Sequence, residues 1–214
     1  MYIYYPSCNF KKFFPETATR IREYLATQKD VYYADCCHKT YDIPKSGDII
    51  VTVCMSCLRG LAELRPDIEQ ISFSEFMLTR KDFTWPDYKG EKITIQDCFR
   101  ARGLNTVQDS SRKCLEMMNF IVVEMKNNRD LETFDGNFLL HEPYPINVKE
   151  APKYYGIYLP SYVTVCDEKE WPDIMKAHAA MYTTNRVACY CNTCTMGART
   201  GGADAYHIAQ LMFI

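Results

Sequence analysis

Short apolar runs alternate with amphipathic stretches along most of the chain. Tyr2-Ile-Tyr-Tyr5 is aromatic and β-branched, which predicts a strand that stops at Pro6 and leads into Cys8. Pro15 opens a predicted helix over residues 15–28, with Ile21, Tyr24 and Leu25 at helical spacing. Val31-Tyr-Tyr33 predicts a second strand that delivers Cys36 and Cys37, and Asp48 to Val53 has a buried-strand pattern. The chain then turns at Cys54-Met-Ser-Cys57 and enters a helix from Leu58 to Leu64, which ends before Pro66. The order is β-α-β-β-α, with cysteines at strand ends and at a helix start.

The second half repeats this plan. Ile93-Thr-Ile95 predicts a strand followed by Cys98, residues 108–118 an amphipathic helix, and Phe120 to Met125 a further strand. Arg186 to Tyr190 leads into Cys191-Asn-Thr-Cys194, a second C-x-x-C, and superposing the two motifs brings Gly60 onto Gly197. Downstream, the stretch from Ile71 to Met77 matches that from Ala205 to Met212 in character. The expected architecture is α/β, two pseudo-symmetric repeats, each a small sheet with helices, with the cysteines gathered at the cleft between them. The first repeat spans 1–88 and the second 89–214, with the division near residues 86–91. The second carries an inserted segment near 140–180, rich in Pro and Tyr.

Composition narrows the function classes. With 25 basic and 27 acidic side chains among 214 residues, the chain has no cationic excess for a phosphate backbone, so no nucleic-acid partner is expected. No apolar run reaches the roughly 20 residues of a membrane span. The opening segment lacks the basic and apolar regions of a signal peptide, so a cytoplasmic location is expected. Eleven cysteines, an odd number, fit metal or redox chemistry in a reducing compartment better than a disulfide framework.

The cysteines themselves carry the chemistry. Cys8, Cys36, Cys37, Cys54 and Cys57 place five thiols at strand ends and a helix start. C-x-x-C sets two sulfurs on one turn, and the helix N-terminus favours thiolate. Zinc needs four ligands, so one zinc leaves a thiol over, and five sulfurs suggest a centre with more than one iron. Zinc stays open as an alternative, and so does simple packing of buried thiols. There is no dinucleotide or P-loop fingerprint. Redox chemistry would therefore draw electrons from a partner subunit or a ferredoxin.

The run Cys8, Cys36-Cys37, Cys54-x-x-Cys57, with Tyr5-Pro-Ser-Cys8 as its opening, resembles the cysteine-rich CCG domain family, of which the B subunit of heterodisulfide reductase is a member. The helix containing Arg112 and the acidic strand end Val123-Glu124 look like the family's second repeat. The resemblance implies a non-cubane [4Fe-4S] cluster held by Cys8, Cys36, Cys37, Cys54 and Cys57. It also implies disulfide or thiol redox chemistry, or electron transfer, on a small thiol or disulfide substrate. A non-enzymatic, zinc- or cluster-stabilised subunit of a larger complex is the alternative.

Two departures qualify the resemblance. His38 replaces the glycine of Cys-Cys-Gly, where a positive φ would strain it modestly; beside the cysteine pair it is also a candidate catalytic proton donor. In the second repeat Phe134-Asp135-Gly136 stands where Cys-Cys-Gly is expected. Cys98, Cys191 and Cys194 remain as a possible second metal site, with Asp135 or Cys189 as a fourth ligand. Arg100 and Arg102, close after Cys98, are candidates to clamp an anionic substrate. Cys114 reads as core and Cys166 as packing, and His141, His178 and His207 lack ligand spacing.

Overall fold

The computed structural model describes residues 1–136, 145–161 and 165–214. The first repeat runs β1 (Tyr2–Tyr5), α1 (Cys8–Phe13), α2 (Pro15–Ala26), β2 (Val31–Tyr33), α3 (Cys37–Thr40), β3 (Ile49–Thr52), α4 (Met55–Leu64), β4 (Glu69–Ser72) and α5 (Phe73–Leu78). The second runs β5 (Lys92–Gln96), α6 (Asn105–Met117), β6 (Ile121–Glu124), α7 (Pro145–Glu150), α8 (Trp171–Ala179), β7 (Arg186–Cys189), α9 (Asn192–Thr200), β8 (Asp204–His207) and α10 (Ile208–Met212). A π-helical turn, Pro152–Tyr158, follows α7.

Each repeat builds one four-stranded sheet with every pairing parallel. The strand orders are β2-β1-β3-β4 and β6-β5-β7-β8, the same order twice. Parallel strands covered on both faces need apolar side chains on both, which is why the central strands read as continuous apolar runs. In β1 and β3, Ile3, Tyr5 and Ile50 pack with Leu61 and Ile68 in one cluster. Tyr4, Val51 and Val53 belong to a larger core that also takes in Phe73, Phe76, Ile93, Leu115, Val187 and Leu211. That core is common to both repeats, and α5 packs against α6 at its centre.

The predicted α/β architecture holds, and most predicted elements stand within a few residues of their expected ends. The helix expected from Leu58 begins at Met55, because Cys54 is its N-cap and the C-x-x-C motif itself forms the first turn. The helix expected over 108–118 begins at Asn105. The likeness between Ile71–Met77 and Ala205–Met212 has a physical basis: each is a strand end running into a helix closed by a capping box. Ser72 with Glu75 forms one box and His207 with Gln210 the other. His38 lies inside α3 and is not among the residues with positive φ, so the expected strain does not arise there. Ser7 carries it instead, at φ 59°, in the turn that aims Cys8. Residues 141 and 162–164, hence His141 and most of the strand-like run before Cys166, lie outside the described residues.

Candidate functional site

In both sheets the neighbouring central strands, β1 and β3 or β5 and β7, are joined through crossovers that leave in different directions. A crevice therefore opens beyond their carboxyl ends, the usual ligand position in an open parallel sheet. The sequence places cysteines there. Cys8 follows β1, Cys54 ends the loop after β3, Cys98 follows β5, and Cys191 caps α9 after β7. Cys36 and Cys37 follow β2 at the start of α3.

Four of the five first-repeat cysteines, Cys8, Cys37, Cys54 and Cys57, line a cavity of about 410 Å³, and Cys36 is not among its lining residues. The sulfurs of Cys8 and Cys36 are 3.4 Å apart, and those of Cys37 and Cys57 are 3.6 Å apart. A hydrogen bond with Cys57 pulls the Cys54 thiol down to about 6, against the opposing effect of its burial. The same partner lowers Cys37. Burial, with a hydrogen bond to Cys36, pushes Cys8 up to about 11. Cys54 and Cys37 are thus the thiols that most readily become thiolate ligands.

His38 forms a short hydrogen bond through Nδ1 with a carboxylate oxygen of Glu150, the last residue of α7. Glu150 lines the same cavity, as do Ile146 and Asn147. The inserted segment of the second repeat thus walls the first-repeat cysteines. It is pinned there: Glu63 accepts from the backbone N–H groups of Lys153 and Tyr154, and Tyr155 Oη donates to the Ser56 carbonyl. The sequence offered no local signal for Glu150, because its partner is 112 residues away.

Cys98, Cys191 and Cys194 come together in a second, separate group. Their sulfurs all lie within 4.8 Å of one another, all three are buried, and the group could hold a metal ion. Neither Asp135 nor Cys189 belongs to this mutual set. Asp135 is instead ion-paired with Arg100 at 3.0 Å and accepts from Thr193 Oγ1 at 3.3 Å. The Cys189 thiol bonds to the Thr195 side chain, and burial pushes it well up.

The arginines expected at a substrate do not stand free in the cleft. Arg100 is fully buried. It donates to Thr193 Oγ1 at 3.0 Å and reaches Cys191 Sγ at 3.7 Å. Arg102 donates to the Glu132 carbonyl and lies over the Phe99 ring. Hydrogen bonds from Cys194 and Cys98, with the nearby Arg100 charge, hold Cys191 well below an ordinary thiol, whereas burial raises Cys98 and Cys194.

A polar network that the sequence did not disclose fixes Cys98. Its backbone N–H donates to Tyr190 Oη, which donates in turn to Asp97 at 2.8 Å. Arg112 binds Asp97 through both terminal nitrogens and Glu124 through Nε and a terminal nitrogen. The pairing of Arg112 with the acidic end of β6 gives a physical reason for that part of the pattern. Of the remaining residues, Cys114 is buried in α6 against the Ser74 carbonyl, and Cys166 is half-buried outside any regular element. His178 stacks on Phe134 with ring centroids 3.8 Å apart. His207 Nδ1 accepts from Ala209 N.

The two cysteine groups are neighbours. Thr193, between Cys191 and Cys194, also lines the first-repeat cavity, and Asn192 Nδ2 donates to Ser7 Oγ at 3.4 Å. Arg59 of α4 donates to the carbonyls of Arg100 and Arg102 across the repeats. Comparison with family models, with curated protein sequences and with solved structures finds no match to this chain.

Proposed function

We propose that the chain is an iron–sulfur redox protein of the heterodisulfide reductase B type, working at a non-cubane [4Fe-4S] cluster in the first repeat. The observation that carries the reading is the convergence of Cys8, Cys37, Cys54 and Cys57 on one cavity, with the Cys36 sulfur 3.4 Å from Cys8. Among the described residues no three of these five sulfurs lie mutually within 4.8 Å. They form close pairs around a wider opening, which suits ligands spread over several irons better than ligands gathered on one ion. Thiolates are the ligands such irons take.

The cluster when bound supplies one-electron chemistry and an iron able to take sulfur. The protein's own part is to hold the five thiols, to keep Cys54 and Cys37 ready to ionise, and to wall the cavity with α7. Ile146, with Leu61 and Leu64 of α4, gives the cavity an apolar side, and Asn147, with Lys12 of α1, a polar one. A small thiol or disulfide is the substrate class that fits, with a partner subunit or ferredoxin as electron source.

The test is metal and acid-labile sulfide analysis of anaerobically purified protein. About four irons and matching sulfide per chain are expected, and Cys54→Ser or Cys57→Ser should lose nearly all of both. A colourless parent without sulfide would sink the proposal. The compact three-cysteine group favours a second reading, a metal-stabilised subunit without redox work, and that same colourless result would point to it.

A further inference from the structure

The two cysteine groups differ in the room around them. Gly60 and Gly197 occupy corresponding places one turn beyond each C-x-x-C. A Cβ added to Gly60 would meet nothing within 4 Å, and Gly60 lines the first-repeat cavity. A Cβ on Gly197 would fall 2.6 Å from Gly136 Cα and 2.8 Å from the Met175 sulfur. Gly136 in turn presses on α9 so closely that a Cβ there would lie 1.8 Å from the Thr193 carbonyl oxygen. The segment Phe134-Asp135-Gly136 therefore packs the second site shut, and a core of several irons has no room beside it.

The spacing of the sulfurs leads to the same place. Two sulfurs bound to one ion at about 2.3 Å can be no more than about 4.6 Å apart. The sulfurs of Cys98, Cys191 and Cys194 all lie within 4.8 Å of one another, so at most a small inward shift brings them onto one ion, and the three side chains are at most 1% exposed. Three ligands leave a tetrahedral ion one short. Asp135 is completely enclosed; its Oδ1 is held by Arg100 and Thr193, and its Oδ2 has no hydrogen-bond partner. A buried carboxylate oxygen left without a partner is costly, and a cation would satisfy it. Thr193 Oγ1 lies 3.2 Å from Cys191 Sγ and 3.3 Å from Asp135 Oδ1, so one hydroxyl already ties the carboxylate to the thiol group.

We propose that the second repeat binds a single zinc ion in a closed site made by Cys98, Cys191, Cys194 and Asp135 Oδ2, and that this ion is structural. Asp135 reaches it by a side-chain rotation, with Arg100 and Thr193 orienting both Asp135 and Cys191 from behind the ligands. Three thiolates and a carboxylate outweigh the two charges of zinc, and the buried Arg100 guanidinium offsets part of the excess. As zinc enters, the remaining thiol protons leave to solvent. Mixed sulfur and oxygen donors at a four-coordinate, enclosed position suit zinc, which needs no redox change and no open face.

The test uses the full-length protein, purified anaerobically, and reads zinc separately from iron. One zinc per chain is expected, with an X-ray absorption shell of three sulfurs at about 2.3 Å and one oxygen at about 2.0 Å. Cys54→Ser should keep its zinc whatever happens to iron, and Cys191→Ser should lose it. Asp135→Asn, which preserves shape, should weaken zinc at least tenfold in chelator competition, and Asp135→Cys should restore it with four sulfurs. Should Cys191→Ser fail to fold, the absorption shell of the parent and the Asp135 variants decide. A parent without zinc, a four-sulfur shell in the parent, mononuclear iron in its place, or an Asp135→Asn variant with unchanged affinity would each overturn the proposal. None of these readings depends on whether the first repeat holds a cluster.

Discussion

Half-buried His178 and buried His207 show how far a residue's role depends on what folds around it. Neither has ligand spacing in the sequence, and neither acts as a ligand among the described residues. His178 fills space by stacking on Phe134, the residue that stands where a thiolate was expected, and its Nε2 bonds to Gln96 at 2.6 Å. Phe134 packs there and cannot ligate a metal. Burial pushes both His178 and His207 down to about 4. Folding therefore requires them neutral, while the unfolded chain takes up protons below about 6.5. The histidines' share of the stability should be level above pH 6.5, fall between pH 6.5 and 4, and level off again below, with His207 contributing on the order of 3 kcal/mol. Urea midpoints between pH 8 and 4 check this. His207→Asn, which retains an N-cap side chain, should flatten a large part of the fall, and an unchanged profile would refute the assignment.

Elements were legible where the apolar pattern was strong and obscure where an element is short or polar. β1, β3 and β7 announce themselves as apolar runs because both faces are covered, and β2, at the sheet edge, through its aromatic and β-branched residues. β4 reads Glu-Gln-Ile-Ser and lies at a sheet edge, so little of it needs to be apolar. The short helices α1 and α3 begin at or beside cysteines, and their few residues give no periodicity to read. The cysteine order correctly located both groups at strand ends. It could not show that Asp135 pairs with Arg100, or that α7 walls the opposite repeat, because those contacts join segments far apart in the chain. The glycine pair turns this asymmetry into a measurement. Gly60→Ala places a methyl in open space within α4 and should stabilise by up to about 1 kcal/mol through helix propensity. Gly197→Ala must displace Gly136 and should destabilise by roughly 1–3 kcal/mol. Denaturant unfolding of the pair tests it, and equal effects would mean that the two helices have the same surroundings.

At the scale of the whole molecule, the repeats share one core and differ in the space around their cysteines. The first keeps space at its cysteines and the second fills it, so a duplicated plan has become an open centre beside a closed one. The shared Arg59 contacts and the Ser7–Asn192 bond tie the open centre to the closed one. The repeated strand order has another consequence. Among the described residues every strand pairing lies within residues 1–78 or within 92–214, so none of those sheet hydrogen bonds crosses the exposed peptide between Lys81 and Asp82. A break there would leave the described ladders whole, and the two pieces would still meet through Phe73 and Tyr24 against Phe213, Tyr24 against Phe83, Arg59 on the carbonyls of Arg100 and Arg102, and Glu63 on the N–H groups of Lys153 and Tyr154. Fragments 1–81 and 82–214, made together, should therefore assemble into a complex that co-elutes and binds metal as the intact chain does. Phe213→Ala should weaken that assembly far more than it weakens the unbroken protein, because the severed halves have no covalent link to hold them at high local concentration.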